Sequence, residues 1–428
     1  MTFELAGGKA PEEAYVWIWL PGGTEPVVAG RIAGEGDRLV FNYGQSYLDR
    51  KNAIAIYDPE LPLRSGAIVP QAGRSMAGCL RDAVPDAWGR RVILNRAFGR
   101  KGKDIDPGAL DELTYLLESG SDRVGALDFQ RSPAEYVPRT VHTATLGELL
   151  SAAEKVEKGT PLTPELDQAL FHGTSLGGAR PKAMIEDGDS KLIAKFSSST
   201  DTYNVVKAEF VAMRLAETAG LDVPPVRLEH VAGRDVLLVE RFDRTRTKNG
   251  WTRKAMVSAL TLFGLDEMMA RYASYEDLAE IIRHRFTSPK ATLHELYARL
   301  VFNILCGNTD DHARNHAAFW DGKRLTLTPA YDICPQSRTG NEASQAMLIV
   351  DDKRMSTLAT CLEAAPNFQL GRKAAEDMIA AQIEVIRTGW DDACQEAELS
   401  EVERNLLGRR MFFNPYIFEG APGRLRNL

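Results

Sequence analysis

Gly307-Asn308-Thr309-Asp310-Asp311-His312-Ala313-Arg314-Asn315, followed by Ala330-Tyr331-Asp332-Ile333, is the stretch on which the reading of this chain turns. It sets Asp310 and Asn315 five residues apart, with Asp332 seventeen residues beyond Asn315. Phosphoryl transfer needs these residue types. One carboxylate must orient an attacking hydroxyl, and oxygen ligands must hold the Mg²⁺ that bridges the phosphates. On that reading Asp310 is the catalytic base, and Asn315 and Asp332 hold the metal. A polar turn with Asx capping is the other reading the stretch allows by itself. Ahead of it, Leu293, Leu296, Tyr297, Leu300, Val301 and Ile304 recur at helical spacing, and Gly307 is a natural helix stop. Asp310 is therefore expected on a loop over a packed base. Thr326–Thr328 reads as a strand that leads through Pro329 to Asp332.

Upstream lie parts that could serve the same chemistry. Lys195 ends the apolar run Leu192-Ile193-Ala194-Lys195-Phe196, and an ammonium in such a strand needs a partner. Glu209, bordering the apolar face of a helix expected over Asn204–Ala219, is the candidate partner. An edge-strand lysine facing water is the alternative. Ser175-Leu176-Gly177-Gly178-Ala179-Arg180-Pro181-Lys182 is a glycine-rich turn whose backbone N–H groups can approach phosphate oxygens, with Arg180 and Lys182 adding positive charge. It matches neither G-x-G-x-x-G nor the Walker pattern, and taken by itself it reads as a generic Gly-rich turn. Glu240 to Arg244 leaves a buried-type strand for a polar segment, which suits an adenine-contacting hinge or any strand exit. His312 has Asp310 and Asp311 beside it. A metal-hydrolase site would need a second ligand, for which only His316 is near. A histidine bracing the loop fits better.

The 428 residues predict two or three domains with ample core material. A net charge of −7 excludes a wholly basic nucleic-acid binder. Two basic stretches stand out, Arg90 to Lys103 and Arg241 to Lys254, as solvated faces or as contacts for nucleic acid or an acidic partner. The five cysteines are scattered and form no CxxC pair, which predicts a reduced, cytoplasmic protein. No run approaches a membrane span and no basic-then-apolar leader opens the chain, so no membrane contact is expected.

Four short strands are expected over 15–57: Tyr15–Leu20, Val27–Ile32, Leu39–Tyr43 and Ala53–Tyr57. Helical pattern follows over 76–98, with a break at Pro85, and at 113–117 and 146–154. Residues 131–140 read as a linker. Asp187-Gly188-Asp189 signals a hairpin, Val236–Glu240 a buried strand, and the chain after about 245 reads as mostly helical, with helices at 378–390 and 401–411.

Taken together, these segments resemble the HipA family, the serine/threonine kinase toxins of bacterial toxin–antitoxin modules. Val84-Pro85-Asp86-Ala87-Trp88-Gly89-Arg90-Arg91 resembles its N-terminal Pro-Asp-x-Trp-Gly segment, and Asp122 to Leu127 its Gly-Ala-Leu turn. Ser175–Lys182 is similar to its phosphate loop, Lys195 to its ATP lysine, Glu240 with Phe242 to its adenine hinge, and Thr309–Asn315 with Tyr331-Asp332 to its catalytic and metal segments. The resemblance implies an α+β, bilobed protein-kinase-like fold: an α/β N-terminal lobe with an extra small β-rich subdomain, and an all-α C-terminal lobe. The expected divisions are 1–136, 137–245 and 246–428. It implies ATP and Mg²⁺ as cofactors, with Ser175, Gly177, Gly178, Ala179, Lys182, Lys195, Glu209, Glu240, Phe242, His312, Asn315 and Asp332 around the nucleotide. It implies transfer to a protein serine, with glutamyl-tRNA synthetase the target in the best-known relatives, and self-phosphorylation at the place of Ser175. The implied partner is a HipB-like helix-turn-helix antitoxin, with operator DNA contacted through that complex. A small-molecule kinase and a catalytically silent co-repressor are the alternatives. Asp311 stands where the family often has Gly, and Pro181 where relatives carry Glu. The first puts a second carboxylate beside Asp310, with consequences for metal affinity or target access. The second stiffens the loop.

Overall fold

The structure, a computed structural model, describes residues 10–99, 104–139, 144–171, 174, 178–338 and 340–428. The chain is α+β and forms two compact units. One comprises residues 1–200, 229–257 and 320–323, and the other 201–228, 258–319 and 324–428.

In the first unit, the aromatic run becomes β1 (Glu13–Ile18), followed by β2 (Val27–Glu35) and β3 (Arg38–Tyr43). The sheet has the order β3-β2-β1-β4, so its fourth strand is β4 (Leu127–Gln130), from far along the chain. The strand expected at Ala53–Tyr57 does not form. Tyrosine side chains meet the backbone needs of this segment instead. The Tyr43 hydroxyl accepts from Ile56 N–H at 2.9 Å and donates to Leu61 C=O at 2.7 Å, and the Tyr47 hydroxyl donates to Ile54 C=O. A segment whose polar groups are met this way has no need of a ladder.

The expected break at Pro85 is real, with helices at Gly78–Arg81 and Ala87–Phe98. Residues 131–139, expected as a linker, are tied down. The Tyr136 ring lies 5.4 Å from both Trp17 and Trp19, and Arg139 pairs with the buried Asp128 at 2.8 Å.

A second sheet has the order β5 (Lys182–Asp187), β6 (Ser190–Phe196), β8 (Arg234–Glu240), β7 (Val226–Val231). The Gly188-Asp189 hairpin sets Lys182 opposite Lys195 and Ala183 opposite Ala194. Alternation puts the alanines, with Leu192, Phe196, Val236 and Leu238, on a core face. Trp88 and Val92 pack there, as do Leu149, Ala153 and Val156 of the helix Leu146–Glu157. The paired lysines share the opposite face. A further hairpin, β9 (Arg244–Thr247) and β10 (Gly250–Arg253), corrects the mostly helical reading after 245. Its signal was the Asn249-Gly250 turn.

The second unit is built on the helix Pro289–Cys306, whose Leu293, Leu296, Leu300, Val301 and Ile304 are fully buried. Around it run the helices Tyr275–Arg285, Leu358–Ala364 and Arg372–Glu396. Gly307 ends the central helix as expected. It adopts φ 75°, and a β-carbon there would meet the Met411 carbonyl oxygen at 2.6 Å. Only glycine meets both demands.

Candidate active site

The loop that follows Gly307 is held from below. Asn308 donates from its backbone to Asn303 C=O at 2.8 Å and from its amide to Asn303 Oδ1 at 3.1 Å. Asp311 is buried: its carboxylate lies 2.9 Å from His316 Nε2 and accepts a hydrogen bond from the Tyr275 hydroxyl. Burial by itself would raise the Asp311 carboxyl. The His316 charge, the hydrogen bonds from His316 and Tyr275, and His312 outweigh it and hold the group below the usual carboxylate range. An ionised carboxylate only accepts, so His316 donates from Nε2. The expectation that Asp311 adds a second carboxylate to the metal region is therefore corrected, because its carboxylate faces the packed interior. The bracing histidine is His316 rather than His312. His312 is half-buried with its Nδ1 unmatched.

With Asp311 turned inward, Asp310 is exposed at the tip. Asn315 is buried and closes the loop, donating from Nδ2 to Asp310 C=O at 3.3 Å while its N–H meets His312 C=O at 2.8 Å. Among the described residues no hydrogen bond engages the carbonyl end of the Asn315 amide. The Tyr331 hydroxyl donates to Arg314 C=O at 2.7 Å, which ties the residue before Asp332 to the residue before Asn315. Asp332 sits at φ 62°, a left-handed conformation that few side chains other than Asn and Asp accept. Such outliers persist where surrounding structure over-determines them. Asn308, Asp311, Asn315, His316 and Tyr331 line a recess of about 10 Å³, the scale of one water molecule. The buried Asn308 Oδ1 and His316 Nδ1 have no partner there.

Among the described residues, no three His, Cys, Asp or Glu side chains form a metal-binding group. An Asp carboxylate and an amide oxygen nevertheless fit Mg²⁺, which draws its remaining ligands from water and phosphates.

The other expected residues belong to both units. Ser175 and Gly177 lie outside the described residues. Gly178 N–H donates to the Asp86 carboxylate, and Gly178 C=O accepts from Trp88 N–H at 3.3 Å. The Trp88 indole donates to Lys182 C=O at 3.0 Å. Gly89 lies so near Thr174 that a β-carbon would come within 2.1 Å of its carbonyl oxygen. The Pro-Asp-x-Trp-Gly segment thus grips both described ends of the glycine-rich turn, a role that sequence reading missed. Ala179 is exposed, and the Lys182 ammonium would lie 2.3 Å from a β-carbon at Gly178. Lys182 and Lys195, cross-strand neighbours on one face, concentrate positive charge at this end of the sheet. Lys195 is half-buried. Glu209 is buried, on the helix Val205–Thr218 of the second unit, together with Asp310, Asn315 and Asp332.

Glu240 and Phe242 are half-buried, and the residues between and after them are locked. Arg241 pairs with Asp243 at 2.8 Å and Asp122 at 3.2 Å, Arg244 pairs with the same two carboxylates, and Lys191 reaches Asp122 at 2.6 Å. Asp243 also accepts from Gly125 N–H at 2.8 Å. Burial would raise Asp243, yet Arg241 and Arg244 bring it down to about 2. The second basic stretch is therefore only in part a solvated face. Arg241 and Arg244 are buried, Arg253 is half-buried and stacks on Trp19, and Arg246, Lys248 and Lys254 are exposed. In the first stretch Arg90 pairs with Glu112 and Arg96 with Asp167, while Arg100 to Lys103 lie outside the described residues.

The fold and this site define a chain of kinase-like architecture. Its residues 174–390, just over half its length, match the HipA-like C-terminal domain, and residues 19–130 match the HipA N-terminal domain. The chain belongs to the HipA family. Over its matched length it is 27% identical to Y4mE of Sinorhizobium fredii, covering 71% of this chain and 75% of that one, and 26% identical to Y4dM of the same organism, covering 83% and 86%. Both carry kinase names. It is 25% identical to the serine/threonine-protein kinase toxin HipA of Shewanella oneidensis over 35% of this chain and 39% of that one. The solved Shewanella oneidensis HipA, in complex with HipB and operator DNA, superposes with a TM-score of 0.70 at 18% identity, covering 96% of this chain and 99% of that one. The two share a fold. Among the described residues no helix is long and apolar enough to cross a membrane.

Proposed function

We propose that this chain is an ATP- and Mg²⁺-dependent serine/threonine protein kinase of three parts, 1–136, 137–245 and 246–428, acting in the cytoplasm as the toxin of a toxin–antitoxin module. One observation carries the reading. The loop 307–315 is packed from beneath through Asp311, His316 and Asn308, while Asp310 alone among its acids is offered to solvent. A general base needs a fixed backbone and a carboxylate that a substrate can reach. Asp310 accepts the proton of an incoming serine hydroxyl. Asn315, through its amide oxygen, and Asp332 hold Mg²⁺, which would offset charge on the phosphates. Gly177, Gly178, Ala179, Lys182 and Lys195 address the phosphates, Glu209 is assigned to Lys195 by the family resemblance, His312 counts among the nucleotide-binding residues, and Glu240 with Phe242 receives the adenine edge.

By family analogy the substrate is a protein serine, of glutamyl-tRNA synthetase type, and Ser175 is the self-modified residue. A HipB-like antitoxin and, through it, operator DNA are the proposed partners. The test is transfer of label from γ-labelled ATP to lysate protein by the purified chain. Asp310→Ala should abolish transfer with unchanged circular dichroism and retained ATP binding. Persisting transfer removes Asp310 from the role.

A further inference from the structure

Arg338 of the second unit has its guanidinium buried without a counterion among the described residues. All three guanidinium nitrogens of Arg338 are shut off from solvent and make no hydrogen bond. No carboxylate among the described residues pairs with it. Its electrostatic neighbours are the Cys306 thiol and the Tyr416 phenol, and burial dominates its surroundings, pulling it below the usual arginine range. The residue is laid across the end of the helix Pro289–Cys306, because Gln336 N–H two positions earlier donates to Gly307 C=O at 3.0 Å. Helix-end carbonyls favour a cation there, but none accepts a hydrogen bond from Arg338. A buried guanidinium with five unmet donors is costly, and proteins almost always give it an oxyanion. The Tyr416 hydroxyl is a further donor within electrostatic reach.

We propose that Arg338 marks an oxyanion-binding site at the end of the helix Pro289–Cys306, adjoining the loop that carries Asp310. The ligand is a phosphate or carboxylate group, which the guanidinium takes in two parallel hydrogen bonds with the Tyr416 hydroxyl as a third donor. Access is short: Arg338 is only partly buried along its stem, and the adjacent Ser337 is exposed. Occupancy would fix the segment between Asp332 and Arg338 against the helix end. The site stands on its own geometry and does not depend on phosphoryl transfer. The internal rivals are Glu342 and Glu419, whose charges reach Tyr416, Glu342 the more strongly.

The experiment is thermal unfolding of the full chain in phosphate, in acetate and in chloride at matched ionic strength. At several-fold saturation either oxyanion should raise the midpoint by about 2–4 °C over chloride, and the stronger one identifies the source chemistry. Arg338→Gln should lose that rise, and Arg338→Lys should keep only part of it. In chloride, Arg338→Gln should melt at or above the wild-type temperature, because it removes a buried unpaired charge. No oxyanion response in the wild type, or an equal response in Arg338→Gln, overturns the site. So does a clear fall of Arg338→Gln in chloride, which would mean the guanidinium is already partnered. Glu342→Gln lowering the wild-type midpoint but not that of Arg338→Gln would assign the partner to the chain itself and overturn it too.

Discussion

Replacing Asp311 by Asn tests whether the acid next to Asp310 is a brace or a site residue. The wild-type carboxylate is 2% exposed and accepts from His316 Nε2 at 2.9 Å and from the Tyr275 hydroxyl. The amide removes the charge and turns a donor toward one of these donors. His316 is itself buried and already has an unmatched Nδ1, so little nearby can compensate. Breaking a buried pair in this way costs about 3–5 kcal/mol. Solvent screening does not reduce that figure at such burial. Tyr275→Phe, which deletes one donor to a charged acceptor, should cost less, about 1.5–3 kcal/mol. Urea unfolding at pH 7, followed by circular dichroism, measures both. The sign with pH is fixed as well. The folded carboxyl is depressed, so its contribution is complete above the unfolded carboxylate range, about pH 4, and fades as pH falls through the folded value. The gap between wild type and Asp311→Asn should therefore narrow on acidification. A variant within about 0.5 kcal/mol of wild type at pH 7, or a gap that widens toward pH 3, would refute the brace.

Gly89→Ala puts a methyl 2.1 Å from the Thr174 carbonyl and should cost about 1–3 kcal/mol in urea unfolding while weakening ATP binding, read by calorimetry. Gly307→Ala meets both a positive φ and the Met411 carbonyl, so a loss of at least about 1–2 kcal/mol is expected in the same assay. Asp122→Asn leaves Arg241 and Arg244 only the Asp243 carboxylate to share and should lose about 3–5 kcal/mol, visible as early melting of tryptophan fluorescence. Asp122 and Asp243 are both depressed below the carboxylate range by these arginines against the opposing effect of burial. Wild-type stability should therefore hold above about pH 4 and decline as pH falls through their folded values.

Local signals in the sequence were read well where neighbours in the chain decide the outcome. Helical spacing and Gly307 place the central helix and its end, Pro85 the break between Gly78–Arg81 and Ala87–Phe98, and Gly188-Asp189 the hairpin that faces Lys182 to Lys195. What was missed depends on distant partners. β4 joins β1 from more than a hundred residues away, while the apolar segment at 53–57, next in the chain, forms no strand. Arg241 and Arg244 look like surface charge until Asp122 supplies their counterions from across the fold. The choice between His312 and His316 as the brace was settled by Tyr275, thirty-six residues upstream of Asp311, which carries no local mark of that duty. In each case the pattern gave the residue type and the fold chose the contact.

The tethering of 131–139 bears on how the front of this molecule can be studied in isolation. Tyr136 fills the space between two tryptophans of the opening strand region and donates its hydroxyl to Asp128 at 3.0 Å, while Arg139 reaches back to Ser119 and Asp128. A fragment cut just after β4 would strip indole surface bare and leave a dry carboxylate short of two of its donors. Residues that look like a dispensable spacer are the clasp of that sheet, and any dissection should keep them on the front piece.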